Sequence, residues 1–353
     1  MFQRILVPLD GSRRAERAIP MAARIARASG GTIVFVRFVL PPIGFGTFSA
    51  DQIVTLKPGA YEAGFAEAAS YLVDTILPRY AGELAGIEAE LDIVSGAASP
   101  SIFSEARMEH VDLIVLCSQG ERGLKRWVFG SVAQEAVRHS PAPVLVLNEQ
   151  GAMPRVPDAE HPLRVLVPLD GSPLSESVLE PTAHLVADLA APGQALFHLV
   201  QFVLRPTAYG KFSGLANLDL SDVEQEKQEA KVYLSALTDR LCRIAFAPGN
   251  LAISWSVAVD TDVSEAIIKL AKQPEAAESA NGYDLVAMAS HGRVGLERLM
   301  LGSVTEHVVG STKLPLFIVR AHGIALQVQP DAEEEETASG QGTEVRMPFM
   351  PIF

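Results

Sequence analysis

Arg4-Ile5-Leu6-Val7-Pro8-Leu9-Asp10-Gly11-Ser12 returns later as Arg164-Val165-Leu166-Val167-Pro168-Leu169-Asp170-Gly171-Ser172, identical at eight of nine positions. The offset is 160 (164 − 4). Each copy is a short apolar run ending at Asp-Gly, as expected of a strand buried on both faces that then turns. A second matched pair follows in the same order. Ser118-Gln119-Gly120 through Phe129-Gly130-Ser131-Val132 corresponds to Ser290-His291-Gly292 through Leu301-Gly302-Ser303-Val304, at an offset of 172 (290 − 118). Two long segments repeated in order mean a duplicated domain, not a short-period solenoid. The second half therefore carries about twelve extra residues (172 − 160), and the Ala- and Glu-rich stretch Gln273 to Gly282 is the best place for most of them. Insertions of this kind collect in surface loops.

The bulk composition agrees with two domains. The chain has 353 residues, enough for two cores, and 48% of them are hydrophobic. No apolar run reaches the roughly 18 residues of a membrane span. Met1 to Val7 leads directly into a strand pattern, so a cytoplasmic protein with no membrane partner is expected. Cys117 and Cys242 are too few for a disulfide framework and lack metal-ligand spacing. A formal net charge of −13 argues against nucleic acid as a partner. It does not exclude phosphate, which backbone amides and helix dipoles can hold locally. The division expected is domain one over 1–148, a Gly-, Pro- and charge-rich linker over 149–161, domain two over 162–321, and an acidic, disordered tail over 322–353. The apolar end, Met347 to Phe353, reads as a loose terminus rather than a docking peptide.

Strands and helices alternate. Ile5–Leu9, Thr32–Val39, Ile87–Val94, Val111–Leu116 and Val144–Leu147 read as strands, and the second half repeats them from Ala195–Leu204 to Leu316–Val319. Helices are expected near Tyr61–Tyr80 and Asp222–Leu241. Ser12 and Ser172-Pro173 are helix starts, and Gly30-Gly31 is a helix stop. Asp262 with Glu265 reads as a capping box, as do Ser131 with Gln134 and Ser303 with Glu306. Such alternation gives a parallel sheet with helices on both faces, and these sheets bind ligands beyond the carboxyl ends of their strands.

The chemistry concentrates there. Gly130-Ser131 and Gly302-Ser303 open helices whose free amides and positive dipole ends suit phosphate. Asp10 and Asp170 end the first strands, where a carboxylate can accept from ribose or adenine, or hold a Mg²⁺ ion that bridges phosphates. An ordinary capped helix and an ordinary Asp-Gly turn are the plain alternatives. Recurrence of both features in both halves favours a ligand site.

The pattern resembles the universal stress protein family, whose ATP-binding branch carries G-x2-G-x9-G-[S/T]. The likeness covers nearly the whole chain twice, about 1–148 and 162–321. It implies two doubly wound five-stranded parallel-sheet α/β domains in tandem, adenine nucleotide alpha hydrolase-like or Rossmann-like, with ATP, ADP or AMP as ligand. Asp10 and Asp170 match the adenosine-contacting aspartate, with Pro8 and Pro168 beside them. Gly120, Gly130, Ser131 and Val132 match the phosphate-binding positions of half one, and Gly292, Gly302, Ser303 and Val304 those of half two. The first motif glycine is replaced by Cys117 and Ala289, and Phe38 and Phe202 stand where the family places a smaller aliphatic residue beside adenine. Half two is the stronger candidate. By the same likeness the halves should form an internal pseudo-dimer through their fifth strands, with a homodimer of chains as a further association.

Other readings weaken on inspection. There is no G-x4-G-K-[ST] segment and no G-x-G-x-x-G after the first strand. Ser29-Gly30-Gly31 is a helix stop, not a pyrophosphate loop. His291 has no evident partner for acid–base work. Arg122, Lys125, Arg126, Arg293 and Arg298 read equally as phosphate screens and as a solvated face. Three functions remain, in this order: an ATP-binding regulatory protein of the stress response, an interaction module with degenerate sites, and a slow ATPase. An enzyme is the last of these because nothing resembles a positioned base with an arginine finger.

Overall fold

The computed structural model describes residues 2–40, 60–118, 130–158, 160–205, 220–243, 251–272, 282–290 and 302–320. The first half runs β1 (Arg4–Leu9), α1 (Arg13–Glu16), α2 (Ala18–Ser29), β2 (Thr32–Val39), α3 (Ala60–Ser70), a π-helical stretch (Tyr71–Ile76), α4 (Leu77–Arg79), α5 (Ala81–Leu84), β3 (Ala89–Ser95), α6 (Ala98–Met108), β4 (Leu113–Ser118), α7 (Ser131–His139) and β5 (Val144–Asn148). The second half runs β6 (Leu163–Leu169), α8 (Pro173–Glu176), α9 (Leu179–Ala190), β7 (Ala195–Leu204), α10 (Leu220–Arg243), β8 (Leu251–Asp260), α11 (Val263–Lys272), β9 (Leu285–Ala289), α12 (Ser303–Val309) and β10 (Leu316–Val319).

Within each half the strands pair in parallel, in the orders β3-β2-β1-β4-β5 and β8-β7-β6-β9-β10. The fold expected from the sequence, an α/β doubly wound parallel sheet in each half, is the fold found. β5 and β10 then pair antiparallel, Leu145 opposite Phe317, so ten strands form one sheet. Period-two alternation sorts the core into two layers. Ile5, Val7 and Leu9 face α2 and its neighbours, while Leu6, Val34 and Val36 face α6 and α7. Both layers run through both halves, with α9 and α10 extending the first and α11 and α12 the second. Arg24 on α2 donates to the carbonyls of Pro154 and Arg155 at 2.8 Å and to that of Leu189 on α9, so residues joining the halves are pinned against both.

Local signals mostly hold. The Ser12 hydroxyl accepts from the Ala15 amide and the Ser172 hydroxyl from the Ser175 amide, with Pro173 in the first turn. Gly30 closes α2 in the left-handed region, φ 68°, where a side chain would be strained. Three expectations need correction. The helix expected over 61–80 is broken by the π-helical stretch, because Pro78 lacks an amide and its ring crowds the preceding turn. Asp262 does cap α11, accepting from Ser264 and Glu265 amides, but the Asp262 amide donates to Asp260 and Glu265 meets His307 instead. The capping box is therefore only half made. Ser131 and Ser303 are not caps: Gly130 and Gly302 occupy the cap positions, and neither helix has a side-chain cap bond. A glycine-serine pair allows both registers, and the chain takes the one that places serine first in the helix. The stretch 273–281 and residues beyond 320 lie outside the described residues.

Candidate nucleotide site

The strand order reverses beside β1 in half one and beside β6 in half two, which are the switch points of a doubly wound sheet. Ladder pairing between β1 and β4 covers Ile5 with Leu113 and Leu6 with Ile114. β1 then continues to Leu9 and β4 to Ser118 without further ladder pairs. The same happens in half two, where β6 and β9 pair only at Val165–Leu285 and Leu166–Val286. Each half thus opens a crevice between the carboxyl ends of two central strands.

Asp10 stands on one lip of the first crevice. Its Oδ1 accepts from the Ser12 amide at 2.9 Å and the Ser12 hydroxyl at 2.5 Å, and its Oδ2 from Arg14 at 2.8 Å. Burial alone would raise this carboxyl. The Ser12 and Arg14 donors outweigh burial and hold it below the usual carboxylate range. Asp170 repeats the arrangement on Ser172, at 2.9 Å from the amide and 2.6 Å from the hydroxyl. Gly11 and Gly171, at φ 84° and 80°, make the turn that aims these carboxylates. Pro8 and Pro168 are half-buried on the strands just before them.

The helix mouths lie at the same carboxyl end of the sheet. α7 and α12 begin at the exposed residues Ser131 and Ser303, preceded by Gly130 and Gly302. Among the described residues no side chain caps either first turn, where helix amides lack partners within the helix. In half two the mouth is fastened to the strand end. The Gly302 amide donates to the Ser290 carbonyl at 2.9 Å, and the Thr305 hydroxyl to that of Ala289 at 3.1 Å. Val132, Val304, Phe38 and Phe202 pack half-buried against the layer beneath α6, α7, α11 and α12. Cys117 and Ala289 join the opposite layer, under α2 and α9. Alternation along β4 and β9 turns these two side chains away from the helix-mouth face. Burial pushes the Cys117 thiol up to about 11, so it is no ready thiolate. Gly120 and Gly292, with Gln119, His291, Arg122, Lys125, Arg126, Arg293 and Arg298, lie outside the described residues.

Sequence reasoning passed over two features. One is Arg14, signalled only by an arginine four residues after Asp10. The other is a buried glutamate repeated at the 160 offset. Glu16, 1% exposed, receives both oxygens' worth of bonds from Arg79 at 2.8 Å, with the Tyr71 and Tyr80 hydroxyls at 3.3 and 3.1 Å. Glu176 meets Tyr233 at 3.0 Å and Arg240. These hubs fix α1 and α8, the first turns after each aspartate, to the helices packed on the sheet.

No group of three or more metal-ligating side chains gathers among the described residues. No described helix is long and apolar enough to cross a membrane. The sequence profile of the Universal stress protein family matches residues 1–148 and again 163–320. A universal stress protein of Mycobacterium tuberculosis is 29% identical over 210 residues, spanning 59% of this chain and only 62% of that relative's length. Another from the same organism is 26% identical over 336 residues, spanning 90% of this chain and 94% of the relative. Among solved structures, a universal stress protein from Archaeoglobus fulgidus superposes with a TM-score of 0.60 at 16% identity, covering 90% of this chain and 98% of its own, a likeness of fold alone. With its profile matched twice along the sequence, the chain belongs to the universal stress protein family.

Proposed function

We propose that the chain binds an adenine nucleotide at the paired crevices and acts as a cytoplasmic regulatory protein of the stress response rather than by turnover. One observation supports the reading: at both switch points the ladder stops early, and a strand-ending carboxylate and a helix start led by glycine lie at that same carboxyl end of the sheet. The residues fit a nucleotide. Asp10 and Asp170 accept from ribose or base, and the amides of Ser131, Val132, Ser303 and Val304 receive phosphate. Pro8, Pro168, Phe38 and Phe202 border the base, while Gly120, Gly292, Cys117 and Ala289 supply backbone around the phosphates. A Mg²⁺ ion would be held by phosphate oxygens with Asp10 or Asp170, because a lone carboxylate makes no cage. Half two, whose helix mouth is tied to Ser290, is the stronger site. The domain division 1–148, 149–161, 162–321 and 322–353, and a homodimer beyond the internal pairing, belong to the same proposal.

Isothermal titration with Mg-ATP tests it. Binding heat that Asp170→Ala weakens is the expected result. Absence of both heat and thermal shift at millimolar Mg-ATP would defeat the reading. Mass spectrometry of protein purified without added ligand would show whether ATP, ADP or AMP is carried. Phosphate release well above an Asp170→Ala control would move the chain to the enzymes.

A further inference from the structure

We propose that Glu16 and Glu176 are positioning residues of the two crevices, each anchoring the one-turn helix whose cap serine holds the strand-end carboxylate. The inference rests on the nucleotide reading above and adds the groups that keep Asp10 and Asp170 in place. α1 and α8 are four residues each, and a helix that short does not stand on its own. Yet each is capped by the serine whose amide and hydroxyl hold the aspartate, Ser12 on Asp10 and Ser172 on Asp170. The Glu16 amide donates to the Ser12 carbonyl at 3.2 Å, and the Glu176 amide to that of Ser172 at 3.2 Å. Whatever fixes the glutamate therefore fixes the serine and, through it, the carboxylate.

Both glutamates are fixed in the same way. Glu16 accepts from Arg79 at 2.8 Å and from the Tyr71 and Tyr80 hydroxyls at 3.3 and 3.1 Å. Glu176 accepts from the Tyr233 hydroxyl at 3.0 Å and from Arg240. Tyr71, Arg79 and Tyr80 follow β2, while Tyr233 and Arg240 lie on α10 after β7. The helical segment behind the second strand thus anchors the turn behind the first, twice. In half one Arg37 adds a brace. Its guanidinium lies over the Tyr71 ring, 5.7 Å to the centroid, and 3.3 Å from where a Cβ on Gly11 would stand. Glu16 is buried and Glu176 half-buried, and ion pairs taken out of water return little net stability. Their recurrence six residues after each carboxylate (16 − 10, 176 − 170) points to position instead. Burial, then the neighbouring glutamate, raises the Tyr71 and Tyr233 hydroxyls, and the charges of Asp10 and Asp170 add to the effect. Each ring therefore stands near enough to register a ligand at its carboxylate.

Glu176 is the one to test, because Arg240 is already 54% exposed and reaches water once freed. Half two is read alone in the Asp10→Ala background by titration with Mg-ATP. Glu176→Ala should weaken binding about tenfold, the lower range for losing a group that supports a ligand-holding residue. Glu176→Gln, which keeps the reach and still accepts from Tyr233, should stay within about threefold of its parent. The Tyr233 ring resonances, assigned among the chain's six tyrosines by Tyr233→Phe, should move when the parent is saturated with Mg-ATP. Circular dichroism melts confirm that each variant folds. A lower melting temperature with an unchanged dissociation constant would make the glutamate purely structural and overturns the proposal. So does binding that leaves the Tyr233 resonances still, or Glu176→Gln binding no better than Glu176→Ala. No binding by the unsubstituted chain defeats the nucleotide reading and this inference with it. Binding indifferent to Glu176 defeats only the inference.

Discussion

The Arg138 guanidinium on α7 donates to the Glu306 carboxylate on α12 at 2.9 Å, tying together the helices that open the two crevices. The bond has no symmetric mate. The 172 offset places Gln134 opposite Glu306 and Gly310 opposite Arg138, and those two cannot pair as ions. The side chains are 32% and 51% exposed. Arg138→Ala should therefore cost no more than about 0.5 kcal/mol in a urea melt, and the cost should vanish at high salt. A loss of several kcal/mol would mean the two helices depend on this pair.

Glu16 should behave oppositely. It is buried with Arg79, Tyr71 and Tyr80 bound to it. Glu16→Ala leaves those donors unsatisfied and should cost about 3 kcal/mol, the lower end for breaking a buried ion pair, since Arg79 can reach water. Glu176→Ala should cost about 1 kcal/mol, because its partner Arg240 is already 54% exposed. Equal effects in denaturant titrations would contradict this ranking.

Asp188 on α9 carries a buried Oδ2 with no hydrogen-bond partner among the described residues. Burial pushes its carboxyl up to about 6 from an ordinary 3.8, helped by the charge of Asp112. A carboxyl raised on folding supports stability below its unfolded pKa, and that support is lost as pH rises through the folded value. Asp188→Asn should therefore stabilise the chain at pH 7 by roughly 2 kcal/mol, with the gain disappearing towards pH 4. Unfolding free energies of both proteins across that range give the check.

His198 lies between the Ser254 and Ser256 hydroxyls, 2.8 Å from each ring nitrogen. Burial, then the charge of Arg164, lowers it to about 4. Its neutral form supports folding above pH 6.5, and that support falls away as pH drops towards 4. The His198 ring resonances should titrate near 4 by NMR. A midpoint at 6 or above would show the ring to be solvated.

Much of this was legible in the residues. Apolar runs marked the central strands, because a sheet covered on both faces demands them, while the edge strands β3 and β8 mix polar with apolar residues, and two offsets revealed the duplication. Asp10 and Asp170 were visible as strand-ending carboxylates. The helix caps were misread because Gly130-Ser131 and Gly302-Ser303 each permit two registers, and local pattern does not choose between them. Glu306 was assigned to its own helix start, yet its partner Arg138 is 168 residues away. The burial side of Cys117 was readable in principle, since it alternates with Leu116 along β4.

The antiparallel seam between β5 and β10 has a consequence for cutting the molecule apart. Every residue of Val144–Asn148 and of Leu316–Val319 is buried. A fragment holding one half alone would bare a row of unmet amides and carbonyls along an oily ribbon. Such a piece would seek a twin or precipitate, so the tandem arrangement keeps a self-adhesive strand permanently occupied.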